Sequence, residues 1–236
     1  MVAKLGRRQL QGTLMPNVFL LTSILAVQSA LVGAAYMLKG PERARPKVDV
    51  VVVFDTTGSM SPYIRRMQAN AIRFAYAIEG EIVDYRLGLV GYGDVAIGEE
   101  ITVFALTEDS ATFRQQVEGL PRTDGGDEPE SALEALEEAV SMRHRSDAKR
   151  VFILITDADF HEPDTHGCTA ESVLSKLTAT GAPLYIVGPT KRLRCGLRYV
   201  DMSARTGGRF YSIHGSGDFS SITLDIARHI NASLVK

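Results

Sequence analysis

Hydrophobic positions along the chain fall into two regimes. From Val18 to Leu38 the sequence runs VFLLTSILAVQSALVGAAYML without a charged residue. An α-helix rises about 1.5 Å per residue, so about 20 apolar residues cross a hydrocarbon core of about 30 Å. Residues 18–38 are therefore expected to span a membrane once, behind a basic N-terminal segment, residues 1–17, with Lys4, Arg7 and Arg8. A cleaved signal peptide shares the basic start, and Gly33-Ala34-Ala35 offers small residues for cleavage. The apolar stretch is longer than a signal core and continues through Tyr36-Met37-Leu38, which favours an uncleaved anchor. Ala26, Ala30 and Ala34 recur every four residues, and Gln28 sits near mid-span. Either self-association of the helix or the general abundance of small residues in membrane helices accounts for this spacing.

Residues 39–47, KGPERARPK, are polar with two prolines and read as a linker. Beyond it the pattern switches between short apolar runs and helical periodicity. The runs 48–54, 86–92, 101–106, 151–155, 184–187 and 209–213 predict strands. The run Val48–Phe54 is almost continuously apolar, which fits a strand buried on both faces of a parallel sheet. Apolar residues three or four apart predict helices over 64–78, 111–120, 131–142, 171–179, 197–205 and from Phe219 through Ile230, two of them stopped at Gly181 and Gly207. Alternation of this kind predicts an α/β domain over 48–236: a doubly wound, mostly parallel sheet with helices on both faces. Ligands of such sheets bind at the carboxyl ends of the strands.

Composition adds limits. Hydrophobic residues make up 45 % of the 236, charged residues 23 %, and the net charge is −2, so the chain is neither disordered nor built for a nucleic acid. Both flanks of the span are basic, with Lys39, Arg43, Arg45 and Lys47 following it, so the positive-inside rule does not orient it.

Three polar loops lie where the carboxyl edge of the sheet is expected: Asp55-Thr56-Thr57-Gly58-Ser59 after the first strand, Gly125–Ser131 before a helix, and Thr156-Asp157-Ala158-Asp159 after the fourth strand. Asp55, Thr57 and Ser59 alternate along a tight turn, for which Gly58 is expected to supply the backbone freedom. A hard cation such as Mg²⁺ takes oxygen ligands of this kind. Neutral hydroxyls leave the ion enough positive charge to accept a carboxylate from outside. Capping of the next helix by Asp55 and Thr57 is the plainer alternative. It leaves Asp157 unexplained.

This pattern resembles the metal-ion-dependent adhesion site of von Willebrand factor A-type domains, whose first motif is Asp-x-Ser-x-Ser and whose third element is an Asp closing the fourth strand. Asp55, Thr57, Ser59 and Asp157 stand at those positions, with Thr57 keeping the hydroxyl. The likeness runs over about residues 48–235. The second element departs from it. Many members place a Thr there, whereas Asp127-Glu128-Pro129-Glu130 is similar to the acidic loop of the A-type domains of β-integrins and of many bacterial members. That match makes Glu130 the fifth ligand, with Thr123 and Asp127 as secondary candidates. The resemblance implies Mg²⁺, Mn²⁺ or Ca²⁺ as cofactor, a protein ligand that supplies an acidic residue, and no catalysis. A cytoplasmic assembly partner of a ring ATPase or chelatase-like complex is the alternative role. Phe54–Ser59 also faintly resembles the Asp-x-Asp loop of haloacid-dehalogenase-like phosphatases, but Thr57 stands where the general acid belongs.

Asp94 reads as structural. His161 and His166, interleaved with Asp159 and Asp164, match no standard zinc spacing and read as a solvated loop. Cys168 and Cys195 follow strands expected to be neighbours. They form either a disulfide or two free thiols. A disulfide places the domain outside the cytoplasm, the location favoured here.

Overall fold

In the computed structural model the described residues are 45–79, 84–126, 128–190, 196–214 and 219–234. The expected span 18–38 lies outside them. Among the described residues no helix is long and apolar enough to cross a membrane.

The strands are β1 (Lys47–Asp55), β2 (Asp84–Tyr92), β3 (Thr102–Thr107), β4 (Lys149–Ile155), β5 (Leu184–Gly188) and β6 (Phe210–Ser212). The helices are α1 (Ser61–Glu79), α2 (Ser110–Glu118), α3 (Ala132–Ser141), α4 (Ala170–Ala179), α5 (Gly196–Arg205) and α6 (Phe219–Leu234). The strands form one sheet in the order β3-β2-β1-β4-β5-β6. All neighbours pair in parallel except β2 and β3, which are antiparallel with a register shift between Leu87 and Leu89. This is the doubly wound architecture expected, with one antiparallel edge.

The long apolar run has its predicted cause. Val50, Val52 and Phe54 enter a core shared with α1, α2 and α6. Val51 and Val53, of opposite side-chain direction, enter a second core shared with α3, α4 and α5. All five are fully buried, each worth about 1.5–3 kcal/mol against the exposed state. Gly181 and Gly207 hold left-handed backbone at φ +66° and +78°, ending their helices as expected. β4 starts two residues before the predicted strand because Lys149 and Arg150 pair with Val48 and Asp49 while keeping solvent access, a position that apolar patterning does not register.

One charge lies inside β1. Asp49 is fully buried, and Arg145 satisfies it: Nε donates to Oδ1 at 2.8 Å and the Arg145 amide to Oδ2 at 2.7 Å. The same guanidinium donates to Asp84 Oδ1 at 2.6 Å and to the carbonyls of Val48 at 3.0 Å and Asp84 at 3.2 Å. Arg145 thus fastens the start of β1 to the start of β2.

Candidate metal centre

The opposite end of the sheet gathers the polar loops. Asp55 closes β1 and is fully buried. Its Oδ1 accepts from the Thr57 amide at 3.0 Å and from the Thr57 hydroxyl at 2.6 Å, and its Oδ2 accepts from the Thr156 hydroxyl at 2.8 Å. The Thr57 and Ser59 hydroxyl oxygens are 3.3 Å apart, and Ser59 donates to Asp157 Oδ1 at 2.9 Å. Asp55, Thr57, Ser59 and Asp157 therefore form one hydrogen-bonded chain that runs from the interior to the exposed Ser59. Thr57 precedes the 3-10 turn Gly58–Met60 yet makes no side-chain capping bond, so helix capping does not explain this loop.

Glu130 is buried beside them. Its amide donates to the Asp159 carbonyl at 2.8 Å and its carbonyl accepts from the His161 amide at 3.1 Å, which stitches the second loop to the third. Its Oε2 is buried without a hydrogen-bond partner. Gly125 is where this site requires glycine: it holds φ +63°, and a Cβ would stand 2.6 Å from Glu130 Oε1 and 3.2 Å from Thr57 Cγ2. Gly58 is not such a position. Its φ is not left-handed and a Cβ there would meet nothing within 4 Å, so the tight turn comes from the bonds that Asp55 accepts rather than from backbone freedom.

Thr123 does not join the Asp55 chain. Its hydroxyl lies 3.2 Å from that of Thr56, whose hydroxyl donates to the Tyr92 carbonyl at 2.8 Å. Asp127 and Cys195 lie outside the described residues, so neither the ligand role of the one nor the Cys168–Cys195 pairing is placed.

Several contributors owe their role to the fold rather than to a sequence pattern. Thr156 reaches Asp55 because β4 pairs in register with β1, Phe54 opposite Ile155, and only that register reveals it. Glu99 accepts from the Asp94 amide at 2.7 Å with Oε2, and from the amides of Asp124 at 2.8 Å and Gly125 at 3.1 Å with Oε1. It shapes the second loop from a stretch without periodicity. Asp94 is structural in part, capping the turn at Val95–Ile97 through the Ala96 amide at 2.9 Å, but its Oδ2 is buried and unpartnered.

Carboxylates dominate the local field. Burial, and secondarily the neighbouring Asp157, raises Asp55 to about 6 against the hydrogen bonds it accepts. Burial, then Asp55, Asp94, Glu99 and Asp157, raises Glu130 to about 8. Both folded values lie above the unfolded values of 3.8 and 4.5. The folded state therefore holds protons that the unfolded state has released across that interval, and these groups' contribution to stability falls as pH rises through it. The unfolding midpoint of the chelator-treated chain, relative to Glu130→Gln, is expected to drop between about pH 5 and about pH 8. Thermal melts across that range check it, and a constant difference between the two proteins counts against it.

A doubly wound domain with hydroxyls and carboxylates converging at the carboxyl edge of its sheet is what the structure defines. The model of the von Willebrand factor type A domain matches residues 49–222, and the chain belongs to this family of protein-interaction and adhesion domains. It is 28 % identical over 127 residues to the alpha-protein kinase vwkA of Dictyostelium discoideum, an alignment covering 52 % of this chain and 20 % of that protein. It is 29 % identical over 145 residues to integrin alpha-11 of Mus musculus, covering 58 % of this chain and 12 % of that one. The chain thus matches only a small part of each relative's length. Among solved structures, an aerotolerance-related membrane protein from Bacteroides fragilis superposes with a TM-score of 0.58 at 16 % identity, over 78 % of this chain and 99 % of that one. Proximal thread matrix protein 1 of the mussel byssus superposes with a TM-score of 0.57 at 15 % identity, over 79 % and 46 %. These two likenesses concern the fold.

Proposed function

We propose that residues 48–236 form a non-catalytic, divalent-metal-dependent protein-binding domain tethered to a membrane by residues 18–38. Asp55, Thr57, Ser59, Glu130 and Asp157 would hold Mg²⁺, with Mn²⁺ or Ca²⁺ as substitutes. The observation that carries the reading is the buried, unpartnered Glu130 Oε2 beside the Asp55–Thr57–Ser59–Asp157 chain. Mutually repelling, poorly solvated carboxylates and two hydroxyls suit a hard cation, which would relieve the repulsion that pushes Glu130 up. Ser59 is exposed and Asp157 half-buried, so the centre opens to solvent on that side, where an acidic residue of a protein partner would complete the coordination.

Two further observations support parts of the proposal. Thr57 stands where the phosphatase loop has its general acid, and a threonine hydroxyl does not serve as one. The Bacteroides fragilis protein of similar fold is described as a membrane protein.

Calorimetric titration of the full chain in detergent with Mg²⁺ and Mn²⁺ tests the centre. Saturable binding reversed by chelator is expected, together with chelator-sensitive retention of a peptide bearing a single glutamate. Absence of binding by either ion at millimolar concentration would remove the metal from the reading.

A further inference from the structure

The helix that leaves the proposed metal centre is basic on its outer side. α1 starts at Ser61, just after the Gly58–Met60 turn that carries Ser59, and its inner face packs in the core with α2 and α6. Pro62, Arg65, Arg66, Ala69, Arg73 and Tyr76 are exposed. At about 3.6 residues per turn these six fall within about 100° of one another, so they form one stripe along the helix. Tyr76, at its far end, is 61 % exposed.

The three guanidiniums are not matched by carboxylates. α1 carries no acidic residue before its last position, so none of the three has an acidic neighbour three or four residues away. Among the described residues the ion pairs made by arginine belong to other side chains. On the neighbouring helices, Glu118 of α2 is taken by Arg114 at 2.8 Å, and Asp225 of α6 accepts from Tyr211 at 2.8 Å. Arg66 is also held in place. Its guanidinium lies 5.7 Å from the centre of the Tyr63 ring, and the Tyr63 hydroxyl donates to the Ile213 carbonyl at 3.4 Å. Nothing acidic in the first turn offsets the positive end of the helix dipole, and the arginines of the second turn add to it. Helix stability gains nothing from this placement; an anion laid along the stripe does.

We propose that the Arg65–Arg66–Arg73 stripe is the second half of the partner-binding surface. It selects a protein segment in which the residue that completes the metal stands at one end of an acidic run. This inference rests on the metal-dependent binding proposed above. α1 runs away from the carboxyl edge of the sheet, so Arg65 and Arg66 stand nearest the centre and Arg73 farther out. Ser61 and Arg73 are about 18 Å apart along the helix axis. An extended partner covers about 3.3 Å per residue, so its acidic run reaches Arg73 within about six residues. Guanidinium forks take carboxylates through paired hydrogen bonds, and the Tyr76 ring offers apolar contact at the end of the run. A peptide fits better than a lipid surface or a nucleic acid, because the centre at the head of the stripe itself calls for a carboxylate.

The test uses the full chain in detergent with saturating Mg²⁺ and two peptides. One bears a single glutamate among glycines and serines; in the other that glutamate is followed by a run of further acidic residues. The acidic peptide is expected to bind more tightly by about 10-fold at low salt, the scale of a few exposed ion pairs acting together. That advantage should fall away at high salt, as the screening length shrinks. The triple variant Arg65→Gln, Arg66→Gln, Arg73→Gln is expected to lose the advantage. It should keep Mg²⁺ affinity and single-glutamate binding, because Gln is as good a helix former as Arg. Arginine-dependent binding of the acidic peptide that is the same with Mg²⁺ and with chelator upholds the stripe and removes the metal from the reading. An acidic peptide no tighter than the single-glutamate one, or an advantage that survives in the triple variant, overturns the proposal. So does a polyphosphate of matched charge that binds as tightly as the acidic peptide, which would make the stripe a general anion surface.

Discussion

Asp55→Asn is expected to weaken Mg²⁺ binding by at least about 100-fold, beyond the 10- to 100-fold range for partners one shell further out. The same substitution should leave the metal-free fold as stable as the parent at neutral pH, or more so. The reason lies in what Asp55 touches. Asn keeps a carbonyl oxygen for the Thr57 amide and hydroxyl, and its amide can donate to the Thr156 hydroxyl where Oδ2 now accepts. The buried charge disappears, and with it one source of the repulsion that pushes Glu130 up to about 8. Calorimetry with Mg²⁺ and melts in chelator would be run on the same preparations. A variant that binds as well as the parent sinks the assignment. One that loses binding only because it unfolds says that Asp55 is architectural.

At the far end of the sheet, Arg145→Ala is expected to cost about 3–5 kcal/mol, the range for breaking one partner out of a buried ion pair. The loss follows from Asp49, which is fully buried in β1 and would lose the guanidinium, keeping the residue-145 amide at 2.7 Å, with His144 Nδ1 3.9 Å away. Arg145→Lys should rescue little, because one ammonium cannot span Asp49, Asp84 and the Val48 carbonyl together. Asp49→Asn in the Arg145→Ala background should recover part of the stability. Urea unfolding reads all four proteins, and a loss below about 1 kcal/mol would mean that water replaces the guanidinium.

How much of this is legible in the sequence varies with the kind of signal. Both faces of β1 are buried, so its composition alone announces a central parallel strand. Asp55 and Asp157 follow apolar strand runs, where doubly wound sheets place ligands, and their position follows from the alternation of strands and helices. Contacts set by register or by loops are not legible. Thr156 faces Asp55 only once β4 is aligned with β1, and Glu99 acts on Asp124 and Gly125 across a stretch without periodicity. Spacing misleads in two places. Gly58 stands in the tight turn and is sterically free, whereas the constrained glycine is Gly125. His166 is close in sequence to His161, but the fold sets it beside Glu137 from another element.

The clamp on Asp49 has a mechanical meaning. β1 begins at Lys47 beside Arg145's grip and ends at Asp55 in the proposed metal centre, so on the proposed function both ends of one strand would be points of attachment. A pull between the chain before residue 47 and a partner held at Asp55 acts along that strand. β1 is bonded in parallel to β2 on one side and β4 on the other. Such a force loads both ladders in shear, so many hydrogen bonds must yield together, whereas an edge strand peeled sideways gives them up one at a time. Lifetime under tension is set by the unfolding rate rather than by equilibrium stability. Arg145 would then govern how long the domain holds on, although it lies at the opposite end of the strand from the centre proposed to do the holding.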